Sequence, residues 1–206
     1  MKKLLYLTCV SILAVLAGCK KNKEPVDYVN TSTGNISHLL VPCKQLIHLP
    51  NSMMRAQPEK FDGAAMAIEG LPFYTHAHRF PTPVRFNVFN DGAKRETWFI
   101  DGEKATPYSY SVFLCDNKIQ ADFAVGRRAA LYNFDFSESE KAKRVFAVDA
   151  MNGLGKPQAK GKKLEFSFMI GAVRAYVAAE FTQPIAEVRT VSPKRAEFVF
   201  GPDAKK

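Results

Sequence analysis

The stretch YSYSVFLCDNKIQADFAV at residues 108–125 sets the fold class of this 206-residue chain. In its first half every second residue from Tyr108 to Leu114 is apolar, a pattern that is typical of a strand with one buried face. Asp116 and Asn117 then interrupt the alternation with side chains that favour turns. The alternation resumes up to the end of the stretch, so the sequence predicts two strands joined by a turn.

The same alternation recurs on both sides of this stretch. Further runs with apolar residues at alternate positions begin at Val84, Ala130, Val145, Leu164, Val173 and Ala196. Turn-forming groups separate the runs: Asn90-Asp91-Gly92, Asp101-Gly102, Asn152-Gly153 and Lys160-Gly161. No stretch has the periodicity of an amphipathic helix, and residues 31–83, with weak periodicity, indicate short strands and long loops. The sequence therefore predicts an all-β fold, an antiparallel β-sandwich.

The N-terminus has the pattern of an export signal. Lys2 and Lys3 precede an apolar run within residues 1–18, which are typical of a secretory signal peptide. The run is too short for a membrane-spanning helix. The four residues that end at Cys19 (Leu-Ala-Gly-Cys) resemble a bacterial lipobox, so we expect cleavage before Cys19 and lipidation of its sulfur. The alternative is an ordinary signal peptide followed by a chance cysteine.

This interpretation gives the domain organisation. Residues 1–18 form the lipoprotein signal peptide, 19–26 a lipidated tether, 27–202 a single β-sandwich domain and 203–206 a tail. The mature protein would be held on a bacterial membrane of the cell envelope, with the outer membrane favoured. Which side of that membrane it faces stays open.

The basic character of the chain lies largely outside the predicted domain. The formal net charge is +9, but signal peptide, tether and tail hold seven of the lysines, so residues 25–202 carry only +4. The remaining basic residues are scattered rather than clustered on one face, as a nucleic-acid site would require. We therefore expect no nucleic-acid partner, and the tether lysines fit anionic lipid headgroups instead.

Several segments resemble a known family in the order in which they occur along residues 27–185. They are Asp27-Tyr28-Val29-Asn30 with Gly34, Leu49-Pro50-Asn51-Ser52-Met53 with Pro58, Ile68-Glu69-Gly70-Leu71 with Thr75-His76, the strand pair from Phe99 to Leu114, Arg128 to Phe136, and Phe181-Thr182-Gln183-Pro184. This set resembles the N-terminal β-sandwich domain of family 92 glycoside hydrolases, calcium-dependent α-mannosidases common in gut Bacteroidetes. The resemblance implies a galactose-mutarotase-like supersandwich and a role connected with mannose-rich glycans.

The chain also departs from the family pattern. Asn51-Ser52 stands where the family has an aromatic residue and glycine, and Ile100-Asp101 stands where it has Ser-His. In the family a helical barrel domain follows the sandwich and carries the general acid, the general base and the calcium ligands. We expect this chain to lack that half, and hence to be no enzyme and to need no cofactor.

Four residues are candidates for carbohydrate binding. Exposed aromatic rings such as Tyr74 can pack on the apolar face of a sugar, and Trp98 could do the same, although packing in the core is its alternative. His76 and His78 point to one side of an extended chain, and the resemblance places the segment of His76 near the junction of sandwich and barrel. The predicted carbohydrate-binding residues are therefore Tyr74, His76, His78 and Trp98.

Metal and disulfide chemistry have weaker signals. A metal at His76 and His78 needs a third ligand, and no spacing supports one, so we expect none. Cys43 and Cys115 are the thiols of the predicted domain, and an oxidising envelope would permit a bridge between them, which stays open.

We therefore expect a non-catalytic, lipid-anchored β-sandwich that binds carbohydrate or assists in envelope glycan use. Two alternatives remain. One is a structural or interaction lipoprotein that docks a protein partner where the barrel would lie. The other is a glycosidase subunit that a separate catalytic domain completes in trans.

Overall fold

The computed structural model describes residues 23–33, 44–60, 65–75, 81–93 and 98–204. Within these ranges the chain forms one short 3-10 helix, Pro25–Tyr28, and otherwise only strands. The strands are β1 (Ile47–His48), β2 (Arg55–Glu59), β3 (Ala67–Ile68), β4 (Gly70–Tyr74), β5 (Val84–Asn90), β6 (Trp98–Ala105), β7 (Ser109–Leu114), β8 (Ile119–Val125), β9 (Ala130–Asp135), β10 (Arg144–Ala150), β11 (Gln158–Lys160), β12 (Lys163–Ile170), β13 (Val173–Glu180), β14 (Glu187–Ser192) and β15 (Arg195–Phe200).

These strands make three antiparallel sheets. Seven strands pair in the order β1-β2-β4-β5-β10-β15-β14, five in the order β3-β6-β7-β8-β9, and three in the order β11-β12-β13. Aromatic rings of β5 contact both β9 and β12, so the two smaller sheets share one layer over the seven-stranded sheet. The predicted all-β antiparallel sandwich is confirmed. None of the helices among the described residues has the length and apolarity needed to span a membrane.

The stretch 108–125 forms the predicted pair of strands. β7 and β8 pair from Ser109 with Ala124 to Leu114 with Ile119, and their alternate apolar residues are buried. Tyr108 differs from the prediction that it lies on the buried face. It precedes β7, is 37% exposed, and its hydroxyl donates a hydrogen bond of 2.8 Å to Asp27.

The strand predictions downstream of residue 84 are also confirmed, with three exceptions. The first is β11, a three-residue strand that is exposed throughout and was not predicted. Val173 is 67% exposed because it lies at the turn end of β13, beyond the rings that cover the inner face of that strand. β14 was not predicted, since it is an edge strand that is exposed on both faces and its sequence shows no alternation.

The chain crosses from one layer to the other at Glu69. β3 pairs with β6 in the five-stranded sheet, whereas β4, which begins one residue later, pairs in the seven-stranded sheet. The backbone of Gly70 lies so close to Arg85 that an added Cβ atom would be 3.1 Å from the Arg85 Cβ. The glycine at position 70 therefore allows β4 to lie close to β5 at this corner.

Phe86 is the centre of the aromatic core. Its ring centroid lies 4.2 Å from that of Phe73, 5.1 Å from Phe146, 5.9 Å from Tyr132 and 6.2 Å from Phe166. These four rings come from the seven-stranded, five-stranded and three-stranded sheets. One side chain thus joins all three sheets.

A buried polar group forms the second link between the layers. We call Gln45, Lys60, Glu103 and Tyr110 the Glu103 cluster. The Lys60 ammonium lies 2.9 Å from the Glu103 carboxylate, which also accepts hydrogen bonds from the Tyr110 hydroxyl at 2.6 Å and the Gln45 amide at 3.1 Å. The Lys60 side chain is only 1% exposed, so the Glu103 carboxylate takes the place of water as the partner of its ammonium group.

Two buried tyrosines make the stability of the fold sensitive to alkaline pH. Burial raises the pKa of Tyr132, and burial together with the Glu103 carboxylate raises the pKa of Tyr110, both well above the ordinary value of 10.0. The unfolded chain ionises these phenols first, so their contribution is present below pH 10 and is lost as the pH rises further.

We expect urea midpoints to fall between about pH 9 and pH 11, and to fall less in Tyr110→Phe, in which one of these phenols is absent. Tyr176→Phe is the matched control, because the Tyr176 side chain is 78% exposed. An identical alkaline loss in wild type and Tyr110→Phe would contradict this explanation.

Candidate functional site

Separate family-like segments meet at one end of the sandwich. The loop with Ser52 docks on the turn after β8, where the Ser52 hydroxyl donates to the Gly126 carbonyl at 2.9 Å. In the same contact the Met53 amide donates to the Arg127 carbonyl at 2.9 Å. We call the surface formed by Asn51, Met53, Tyr74, Arg127 and Arg128 the loop end.

The loop end combines apolar and hydrogen-bonding groups. The Met53 side chain is 72% exposed, and Tyr74 is half-buried at the end of β4. Arg127 and Arg128 are exposed, and neither guanidinium makes an ion pair with a residue that the structure describes. Asn51 has a left-handed backbone (φ 55°), which asparagine adopts more easily than most residues. This surface offers a flat ring, a thioether and several N–H donors.

A cavity of about 780 Å³ continues from the loop end into the sandwich. It lies between the edges of β9 and β13, and we call it the β9–β13 cleft. Its floor consists of phenylalanines from both layers: Phe73, Phe86, Phe146, Phe166, Phe168 and Phe181. The exposed polar side chains that line it are Arg128, Asn133, Glu180, Thr182 and Gln183. Arg144 also lines it, but its side chain is buried and donates hydrogen bonds to Asn90 and to the Glu140 carbonyl. Tyr74 and Met53 line it where it opens on the loop end.

The predicted carbohydrate-binding residues do not all meet here. Tyr74 lies at the loop end, whereas His76 and His78 are outside the described residues. Trp98 requires a correction. It is 2% exposed and stacks on Phe89 with a centroid distance of 5.6 Å and an interplanar angle of 21°. Trp98 therefore offers no ring face to a sugar. The alternative, that its ring packs in the core, is the one that the structure shows.

Three acidic side chains, Asp91, Glu69 and Glu103, are engaged in ion pairs. Hydrogen bonds from Arg189 hold the pKa of Asp91 below its usual range. Glu69 lies 2.9 Å from Arg85, and Glu103 belongs to its buried cluster. These carboxylates therefore bind basic side chains of the same domain.

Metal and disulfide chemistry are only partly visible. The described residues contain no group of three His, Cys, Asp or Glu that could hold a metal, and His48 Nε2 is 3.1 Å from the Ser52 carbonyl oxygen. Cys115 is exposed and makes no disulfide within the described part of the chain. Cys19 and Cys43 are outside the described residues, so lipidation and the Cys43–Cys115 bridge stay predictions.

Local sequence patterns contain no indication of the β9–β13 cleft. Its walls are two strands about 40 residues apart in the chain, and each has an ordinary alternating pattern. The resemblance of Arg128-Ala129-Ala130 to the family predicted the strand that became β9. It did not predict that a cleft lies beside this strand.

The three antiparallel sheets define an all-β sandwich, with an aromatic cleft between sheet edges. Residues 68–202 match the model of the glycosyl hydrolase family 92 N-terminal domain, and the chain belongs to this family. The resemblance found in the sequence is therefore confirmed. No curated protein sequence is significantly similar to the chain.

Solved structures of family 92 enzymes share the fold. A family 92 inverting mannosidase from Bacteroides thetaiotaomicron VPI-5482 superposes with a TM-score of 0.72 at 18% identity, over 89% of this chain and 31% of that chain. A family 92 α-mannosidase from Bacteroides thetaiotaomicron gives a TM-score of 0.68 at 14% identity, over 87% and 31% of the two chains. The chain thus spans about a third of the length of these structures.

Proposed function

We propose that this protein is a non-catalytic, lipid-anchored carbohydrate-binding domain of the bacterial cell envelope. The observation that carries the proposal is the meeting of family-like segments at the loop end. Support also comes from the matched model, which is that of the N-terminal domain, and from structural neighbours that are mannosidases. Mannose-rich glycans are the proposed ligand class.

The chemistry of the loop end suits a sugar. One face of a pyranose ring is apolar and packs on flat or polarisable side chains, here Tyr74 and Met53. Sugar hydroxyls accept hydrogen bonds, which Arg127 and Arg128 can donate in a fork geometry. The proposed site therefore includes Tyr74 and the neighbouring segment of His76 and His78.

Calorimetric titration with mannose-rich oligosaccharides tests this proposal. We expect Tyr74→Ala to weaken binding about tenfold, because it removes the stacking ring. Phe99→Ala is the control, since its ring is 56% exposed on β6. In the five-stranded sheet β6 is separated from β9, which borders the cleft, by β7 and β8. Absence of binding at about 1 mM glycan would overturn the ligand assignment, and release of free mannose would contradict the non-catalytic role.

The anchor has a separate test. Metabolic labelling with a fatty acid should mark the wild type and not Cys19→Ser, and the variant should leave the membrane fraction. An unlabelled wild type that is recovered without membranes would contradict lipidation while leaving the glycan proposal intact.

A second candidate function is docking of a protein, either as an interaction lipoprotein or as a glycosidase subunit completed in trans. The observation that favours it is the apolar floor of the β9–β13 cleft, since large apolar surfaces of soluble proteins usually mark contact sites.

A further inference from the structure

The β9–β13 cleft lies between two open sheet edges. Within the described residues β9 pairs with β8 alone, and β13 pairs with β12 alone. The cleft-facing backbone N–H and C=O groups of residues 130–134 and 173–180 therefore have no second strand among the described residues. Such edges are templates for pairing with another extended segment.

The direction of β9 follows from the rings that it covers. Tyr132 lies 5.9 Å from Phe86 of β5, and Phe134 lies 6.3 Å from Phe146 of β10. β9 therefore runs from β5 towards β10 across the inner face of the seven-stranded sheet.

The direction of β13 follows from its pairing with β12. Phe166 of β12 lies 6.2 Å from Phe86 of β5, and the later Phe168 lies 6.1 Å from Phe73 of β4, so β12 runs towards β4. β13 is antiparallel to β12 and runs back towards β10, where Phe181 contacts a β10 ring at 5.4 Å. β9 and β13 therefore point the same way.

Because the two facing edges run in the same direction, only a strand of the opposite direction can pair antiparallel with both. A segment running the opposite way would make antiparallel pairs with β9 and β13 together and would join the five- and three-stranded sheets. Antiparallel pairing is also the arrangement of every strand pair in the described fold.

The lining of the cleft restricts the side chains of such a segment. β13 presents Ala175, Val177 and Ala179 towards the core, and these residues leave space above the phenylalanine floor. Side chains that point down must be apolar, whereas those that point up meet water, so the segment must alternate. Sugar hydroxyls would find no partners on the phenylalanine floor.

A positive charge lies at the end of the cleft where β9 begins. Arg128 lies just before β9, on the rim of the cleft, and its guanidinium makes no ion pair with any described residue. Because the inserted segment runs opposite to β9, its C-terminal end lies beside Arg128. A carboxylate at that end would pair with the guanidinium.

We propose that the β9–β13 cleft binds the C-terminal segment of a partner protein as an added β-strand. The segment alternates apolar and polar residues, and its terminal carboxylate pairs with Arg128. This proposal does not rest on glycan binding at the loop end, although the two surfaces share Arg128.

The probe is a fluorescein-labelled octapeptide of alternating threonine and valine with a free C-terminal carboxylate. We expect saturable binding to the purified protein by fluorescence anisotropy, and protection of β9 and β13 amides in hydrogen exchange. The C-terminal amide of the same peptide should bind about tenfold more weakly. A peptide of the same composition with its valines grouped together should not bind.

Variants with matched controls locate the interaction. Val177→Trp fills the cleft and should abolish binding, whereas Val191→Trp, the same substitution on the exposed edge strand β14 outside the cleft, should not change it. Arg128→Glu should weaken binding about tenfold, and Arg127→Glu less than about twofold.

Three results of the peptide-binding assays would overturn the proposal. They are an absence of binding, equal binding of the free acid and the amide, and binding that Val177→Trp leaves intact. A concentration-dependent dimer that Val177→Trp dissociates would also overturn it, since a second copy would then occupy the cleft.

Discussion

Phe86→Ala should lower the free energy of unfolding by about 3–5 kcal/mol. The Phe86 side chain is 4% exposed and its ring contacts rings of all three sheets. Its loss removes apolar burial and leaves a cavity at the point where the two layers are joined. The site cannot collapse easily, because the surrounding rings are fixed by strands of different sheets.

Urea unfolding, monitored by far-ultraviolet circular dichroism, measures this effect. Since a domain of this size has a total stability of about 5–15 kcal/mol, the loss should also lower Tm by about 10 °C or more. Phe99→Ala is the matched control, because the same truncation at a 56% exposed ring should cost less than about 1 kcal/mol. Equal effects of the two variants would show that Phe86 is not a central contact.

Glu103→Gln should destabilise the fold by about 2–4 kcal/mol, which is the second large effect that we expect. The substitution is nearly isosteric, so packing is retained and the loss is electrostatic. It leaves the ammonium of Lys60, whose side chain is 1% exposed, without its carboxylate partner. Glu165→Gln on the exposed face of β12 is the control and should change stability by less than about 0.5 kcal/mol.

A second substitution separates a buried charge from a general loss of structure. Adding Lys60→Met to Glu103→Gln removes the unpaired ammonium and should recover much of the lost stability. If the double variant is less stable than Glu103→Gln, the proposed role of the Lys60 charge is wrong.

The two proposed binding surfaces differ in chemistry. The loop end has exposed guanidinium groups beside one half-buried tyrosine, and the β9–β13 cleft has a floor of phenylalanines between two open strand edges. A sugar needs hydrogen-bond donors and acceptors around its ring, which the loop end supplies. An extended peptide brings its own backbone groups to pair with the edges, so an apolar floor does not oppose it.

The strands and turns of this chain could be predicted because their signals are local. Residues 108–125 alternate between a core-facing and a solvent-facing side, and β7 and β8 keep this alternation in the structure. The alternation does not depend on how the other strands are arranged. β14 lacks such a local signal, because a strand that is exposed on both faces has no alternation of apolar and polar residues, and it was therefore not predicted. The ordered family-like segments also lie in the sequence, and they sufficed to predict the sandwich.

The placement of single side chains depended on contacts between distant segments. Alternation put Trp98 on one face of β6, but the rings that cover that face come from β5, and they bury it. Lys60 meets Glu103 only because β2 and β6 lie in facing layers. The β9–β13 cleft arises from the way in which two sheets share a layer. These features depend on pairing across tens of residues, which no local period encodes, so they became visible only in the folded chain.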